Sequence, residues 1–235
     1  MGTKERQERE RELVRRAIVE AARELFVAEG FGKVSMRKIA ERIEYSPAAI
    51  YSYYPSKDDI FYALAEEGFR LLTEGLDADD AEIDPLDLVR SGLTAMYRFS
   101  QSHPEYYALM FLDRSVPHLK DSQERIPKFT EVMNRMVGAT QRCIDAGLFP
   151  AGSDPFTIFR VMTVAVHGAA ATNVCGRLKP GQHGDALAHD LIELMLAGFR
   201  AGVTLTFVGR PCPDEPAEAA PSAGAINGRA EPVES

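Results

Sequence analysis

Apolar residues Leu13, Val14, Ala17, Ile18, Ala21, Ala22, Leu25 and Phe26 recur at three- and four-residue spacing, which predicts a helix with one broad apolar face. Gly30 ends it, because glycine tolerates the backbone conformation that closes a helix. A second run, Met36, Ile39, Ala40 and Ile43, falls at i, i+3, i+4 and i+7 behind Ser35 as N-cap, leaving Arg37, Lys38, Glu41 and Arg42 on the outside. The pattern breaks over 43–45. It resumes at Ser46-Pro47, a cap followed by a proline at the first helical position, where a missing N–H costs nothing. That third helix is about two turns long, since Pro55 disfavours helical backbone at the residue before it. Ser56-Lys57-Asp58-Asp59 has the serine and the acid three residues on that open a fourth helix, carried through Phe61, Leu64 and Leu72.

Three helices sharing a small core, the second and third joined by a tight turn, form a wedge suited to a DNA groove. Lys57 stands in the first turn of helix four, where the positive end of the helix dipole disfavours a cation. An external phosphate is the expected partner.

Beyond this, Pro85–Ser100, Pro104–Leu112, Pro127–Ala146, Pro155–Gly176 and Asp185–Gly202 carry helical patterns, with Asp84-Pro85 and Asp154-Pro155 as starts and Gly147 as a C-cap. No strand pattern competes, so the expected fold class is all-α. Residues 1–10 are expected to form a flexible charged arm, 11–57 a helix-turn-helix domain, 58–208 a larger helical regulatory and dimerisation domain, and 209–235 a disordered tail rich in proline, alanine and acids. Residues 74–87 read as an acidic linker. Asp77, Asp79, Asp80, Glu82 and Asp84 give only a faint likeness to a calcium loop, because the position that needs glycine holds Glu82.

At 13–65 the chain resembles the tetracycline-repressor (TetR) family of bacterial transcription regulators. The likeness rests on Glu24-Leu25-Phe26, Glu29-Gly30-Phe31, Arg37-Lys38-Ile39-Ala40 and Ile50-Tyr51-Ser52-Tyr53-Tyr54-Pro55-Ser56-Lys57. It implies that Ser35, Tyr51 and Lys57 bind phosphates. It also implies that Arg37, Pro47, Ala48, Ala49, Ser52 and Tyr53, behind the cap Ser46, lie near base edges or the adjoining backbone. Two departures stand out: Glu44 where the family has glycine in the turn, and Ala48-Ala49 where it often has Gly-Thr. Alanine methyls can meet thymine methyls instead. The resemblance further implies a homodimer through the last two helices, around Phe156–Val174 and Leu187–Phe199. That places two recognition helices one DNA turn apart, roughly 34–36 Å, on a palindromic operator. A small apolar or amphipathic effector would release the repressor from it.

Charge divides unevenly. The net −8 splits into 12 Lys/Arg against 11 Asp/Glu over 1–60 and 15 against 24 over 61–235, so the body repels the phosphates that the other end tolerates. Met96, Tyr97, Phe99, His103, Tyr106, Tyr107, Met110, Phe111, Phe129, Met133, Met136, Phe159, Met162 and His167 crowd the middle of the chain. They are either ordinary helical core or, in part, the walls of an effector cavity. His167 reads as a core or interface histidine or as a ligand contact.

No apolar run is long enough to span a membrane, and the charged start at Lys4–Arg16 is unlike a secretory signal, so a cytoplasmic protein is expected. Cys143, Cys175 and Cys212 are too widely spaced for a metal or redox motif. His103, His118, His167, His183 and His189 form no metalloprotease pattern, and neither a glycine-rich phosphate loop nor a nucleophile elbow occurs, so no catalysis, metal or cofactor is expected. The remaining rivals are an activator or architectural DNA-binding protein without a ligand, and a helical adaptor whose short helix pair merely packs. Exposed Arg37, Lys38, Ser52, Tyr53 and Lys57 argue against the adaptor.

Overall fold

The computed structural model of the chain describes residues 2–74, 76, 83–117, 125–179 and 181–205, and no strand occurs among them. In order the helices are α1 (Thr3–Glu29), α2 (Met36–Arg42), α3 (Pro47–Tyr51), α4 (Lys57–Thr73), α5 (Pro85–Ser102), α6 (Pro104–Tyr107), α7 (Pro127–Asp145), α8 (Pro155–Val174) and α9 (Gly184–Arg200). Five of these starts follow from side-chain capping. Ser35, Ser46, Ser56, Asp84 and Asp154 each accept a backbone N–H of the first turn, which would otherwise have no partner. Proline occupies the first turn of α3, α5, α6, α7 and α8. Gly147, at φ +71°, closes α7.

α1, α2, α3 and the first half of α4 share one core, in which Ile18, Ala22, Phe26, Ile39, Ala40, Ile50, Ile60 and Phe61 are all but inaccessible. α5 packs against α7, α8 and α9, and α8 against α7 and α9. α4 joins the two parts, packing on α1 at one side and on α5, α6 and α7 at the other. No helix of the described residues is long and apolar enough to cross a membrane.

Several expectations need correction. Residues 3–10, expected as a flexible arm, are helical, with Arg6–Glu10 and Glu12–Arg16 paired at i,i+4 spacing along the exposed extension. The apolar face consequently starts later than predicted: Leu13 is 60% exposed, while Val19 joins the core. α5 begins at Pro85 behind Asp84, as the cap-plus-proline start predicts, so the linker ends before 85 rather than at 87. Pro104–Leu112 is not one α-helix; it widens after Tyr107 into a π turn over Ala108–Leu112, closed by Asp113 N–H to the Ala108 carbonyl at 2.9 Å. The acidic residues at 77–82, His118, Cys212 and the tail over 209–235 lie outside the described residues.

Candidate nucleic-acid interface and internal cavity

The helix pair is built around its turn. α2 ends at Arg42, and Glu44 takes φ +60°, the left-handed conformation for which the family uses glycine. Ser46 Oγ then accepts the Ala49 N–H at 3.2 Å and starts α3. At the far end two arginines of α1 hold the chain after α3: Arg11 donates to the Ser52 carbonyl and Arg15 to the Tyr53 carbonyl, each at 3.3 Å. Their guanidinium groups also lie over the rings of Tyr53 and Tyr54. Neither arginine was identified as a site residue in the sequence, because the contact joins segments about forty positions apart.

Ser35, Arg37, Ser46, Pro47, Ala48, Tyr51 and Ser52 are exposed on this side, Ala49 and Tyr53 are half-buried, and Tyr54 turns inward. Ser35 and Ser46 spend one acceptor position on capping, and Ser52 Oγ donates to the Ala49 carbonyl at 2.6 Å. The α2 cations are already paired: Arg37 with Glu41 at 2.7 Å, Arg42 with Glu24 at 2.7 Å and Lys38 with Glu29. Contact with Glu41 strengthens the hold of Arg37 on its proton.

Lys57 corrects the argument from the helix dipole. Its Nζ donates to the carbonyls of Phe31 at 2.7 Å and Val34 at 3.0 Å and sits 4.1 Å from the Phe31 ring centre. The cation is anchored by the α1–α2 connection, so its place at the start of α4 does not require an external anion.

In the larger part, a cavity of about 100 Å³ lies between α4, α5, α7 and α8. Met96, Phe111, Phe129, Met133, Met136, Phe159 and His167 line it, together with Phe69, Leu72, Thr73, Leu76, Gly92, Leu93, Val132, Arg135 and Thr163. The other expected residues lie elsewhere. Tyr97 faces a groove between α5 and α9, and Phe99 and His103 border an open groove beside the end of α4. Tyr106 packs under Arg23, Met110 lies against Gly68, and Tyr107 and Met162 are wholly buried. Spacing alone could have found Thr163, four residues before His167 on the same helix face.

His167 is tied to Tyr107, whose Oη lies 2.8 Å from Nδ1 and 3.2 Å from the His167 carbonyl oxygen. Its ring stands 4.7 Å from that of Phe111. Burial holds the imidazole neutral, with its pKa pushed down to about 4, and pushes the Tyr107 phenol up to about 12.

Comparison with known proteins agrees with both parts. A model described as bacterial regulatory proteins, tetR family, matches residues 18–64, and one described as tetracyclin repressor-like, C-terminal domain, matches 89–196. An uncharacterized HTH-type transcriptional regulator, YuxN of Bacillus subtilis (strain 168), is 24% identical over 115 residues, 48% of this chain. The chain spans 40% of that relative's length. Among solved structures, a bacterial regulatory protein in the tetR family from Rhodococcus RHA1 is 24% identical with a TM-score of 0.57, over 81% of this chain and 97% of that one. The regulator FadR from Bacillus subtilis, solved in complex with stearoyl-CoA, is 19% identical with a TM-score of 0.64, over 77% and 97%. With a matching helix-turn-helix half, a matching C-terminal half and the same overall fold, the chain belongs to the TetR family of bacterial transcriptional regulators, and α2 and α3 are its DNA-binding helix pair.

Proposed function

We propose that the chain is a cytoplasmic homodimeric repressor that binds a palindromic operator and leaves it when a small molecule fills the cavity between α4, α5, α7 and α8. The observation that carries this reading is the course of α4. Its last turns, at Phe69, Leu72 and Thr73, line the cavity, and its first residue, Lys57, grips the Phe31 and Val34 carbonyls just ahead of α2. A second tie runs from the end of the π turn, where Asp113 Oδ2 accepts the Phe31 N–H at 3.4 Å. A ligand that shifts α4 or the π turn therefore shifts the base of the helix pair.

The effector must prefer the DNA-free arrangement, and reversing a 1:99 population to 99:1 takes about 5.5 kcal/mol of differential binding. FadR in complex with stearoyl-CoA supports a small-molecule site in this fold. The dimer reading is supported by Phe156 and Val164 on α8 and Leu187 and Leu194 on α9, large apolar side chains that are 43%, 63%, 44% and 70% exposed. In the complex, Ser35 and Tyr51 contact phosphates, while Arg37, Pro47, Ala48, Ala49, Ser52 and Tyr53 approach base edges. Lys57 joins them by exchanging a carbonyl for a phosphate oxygen.

Selection from a pool of random duplexes with the purified full chain tests this. The expected winners are inverted repeats with half-sites one helical turn apart. Unenriched or asymmetric sequences would contradict the dimeric reading.

A further inference from the structure

Thr163 behaves unlike the other threonines within the helices around it. Thr73, Thr94, Thr140 and Thr172 each donate their hydroxyl to the carbonyl four residues earlier, the bond that a helix offers every threonine. Thr163 does not: its Oγ1 is buried without a hydrogen-bond partner, on the wall of the α4–α5–α7–α8 cavity. A buried hydroxyl left unpaired is costly, and such a group calls for an explanation.

The rest of the wall limits what can answer it. Thr73 has spent its hydroxyl on the Phe69 and Arg70 carbonyls. The cation at the edge, Arg135, is engaged by the Leu76 carbonyl. His167 has Nδ1 occupied by Tyr107, and burial keeps its ring uncharged. An anion would lose its hydration on entry, and pairing with Arg135, whose charge the neutral Leu76 carbonyl does not cancel, repays that loss only in good geometry, so an uncharged ligand is favoured. Size limits the choice further. A dry apolar cavity of about 150 Å³ suffices for benzene, and this one is about 100 Å³, with Met96, Met133 and Met136 as movable walls.

The geometry points to a compact, uncharged, mainly apolar effector with a single oxygen function, selected by a hydrogen bond to Thr163 Oγ1. This rests on reading the cavity as the effector site. Phenols and short alcohols or ketones belong to the class; carboxylates and long acyl chains do not.

Benzene, phenol and benzoate, titrated by calorimetry into the full chain and into Thr163→Val, separate the possibilities. Phenol should bind the native chain about three- to tenfold more tightly than benzene, the worth of one buried hydrogen bond, and benzoate should bind most weakly. Thr163→Val should retain benzene binding, lose the preference for phenol and melt no lower than the native chain, because an unpaired hydroxyl has been removed. Equal binding of benzene and phenol by the native chain, a preference for benzoate, binding of none of the three, or a lower melting temperature for Thr163→Val would each overturn the assignment. Benzene and phenol bound equally would leave the effector cavity standing. Phenol preferred through Thr163 yet leaving operator affinity unchanged would support the hydrogen bond to Thr163 and overturn the reading of its ligand as the effector.

Discussion

At the scale of single residues, the helix pair carries both strain and self-restraint. Glu44 sits at φ +60°, which costs a side-chain-bearing residue about 1–2 kcal/mol, partly offset in a glycine by its larger loss of chain entropy. Glu44→Gly is therefore expected to raise stability by about 0.5–1 kcal/mol in urea unfolding; a loss would show that the turn is relaxed as it stands. Glu41 holds Arg37. Releasing it with Glu41→Gln should strengthen nonspecific DNA binding and steepen the log–log salt slope by about 0.9 for each phosphate gained. His167, neutral in the folded chain with a pKa of about 4 against an ordinary 6.5, takes up its proton more readily when unfolded. Stability contributed by the neutral ring is thus complete above pH 6.5 and is lost as pH falls towards 4, by about 3 kcal/mol in all. His167→Gln should flatten that part of the stability profile, with the native chain's unfolding midpoint falling over the same window.

The capping residues Ser35, Ser46, Ser56, Asp84 and Asp154 were legible in the sequence, because a cap acts on backbone within three positions of itself. Lys57 was not. Its partners are the carbonyls of Phe31 and Val34, more than twenty positions away, and no local pattern encodes them.

At the scale of helices, prolines and caps marked most starts to within a residue or two, and Gly147 marked one end. The widening of α6 into a π turn, where Met110 and Phe111 pack against Gly68 and Phe69 of α4, left no trace in the apolar pattern of Pro104–Leu112. Which aromatic and methionine residues face the cavity was legible only as a pool. Helical spacing places them on broad apolar faces, and the rotation of each helix decides whether a side chain meets space, as Phe159 does, or core, as Met162 does. Gly68, within α4, marks a close approach: a Cβ there would run into Met110 Sδ. Gly68→Ala should gain helix propensity yet lose about 1–2 kcal/mol net through overpacking. The loss should shrink when Met110→Ala is added. Additive effects in a double-mutant cycle would show that the two positions do not press on each other.

For the whole molecule, a near-neutral helix-pair end, an acidic remainder and exposed apolar side chains on α8 and α9 form one consistent design. Within the near-neutral first sixty residues Arg37, Lys38 and Arg42 are paired with carboxylates, so affinity for unrelated DNA is expected to be low. Placing arginine at Val164 and Leu194 together should yield a monomer by light scattering with weakened operator binding, because each half-site alone contributes only part of the contact. A monomer that bound as tightly as the native chain would argue against twofold recognition.

The most direct measurement is the operator affinity of Ala48→Asp beside the native chain, by fluorescence anisotropy at fixed salt. Ala48 is exposed in the first turn of α3, where a carboxylate favours the helix, so the fold and the oligomeric state should be unharmed. With this face against the duplex, the new charge meets phosphates and base edges, and affinity should fall by roughly 100-fold or more. Unchanged affinity in a variant that melts no lower than the native chain would contradict the DNA-facing placement of α3.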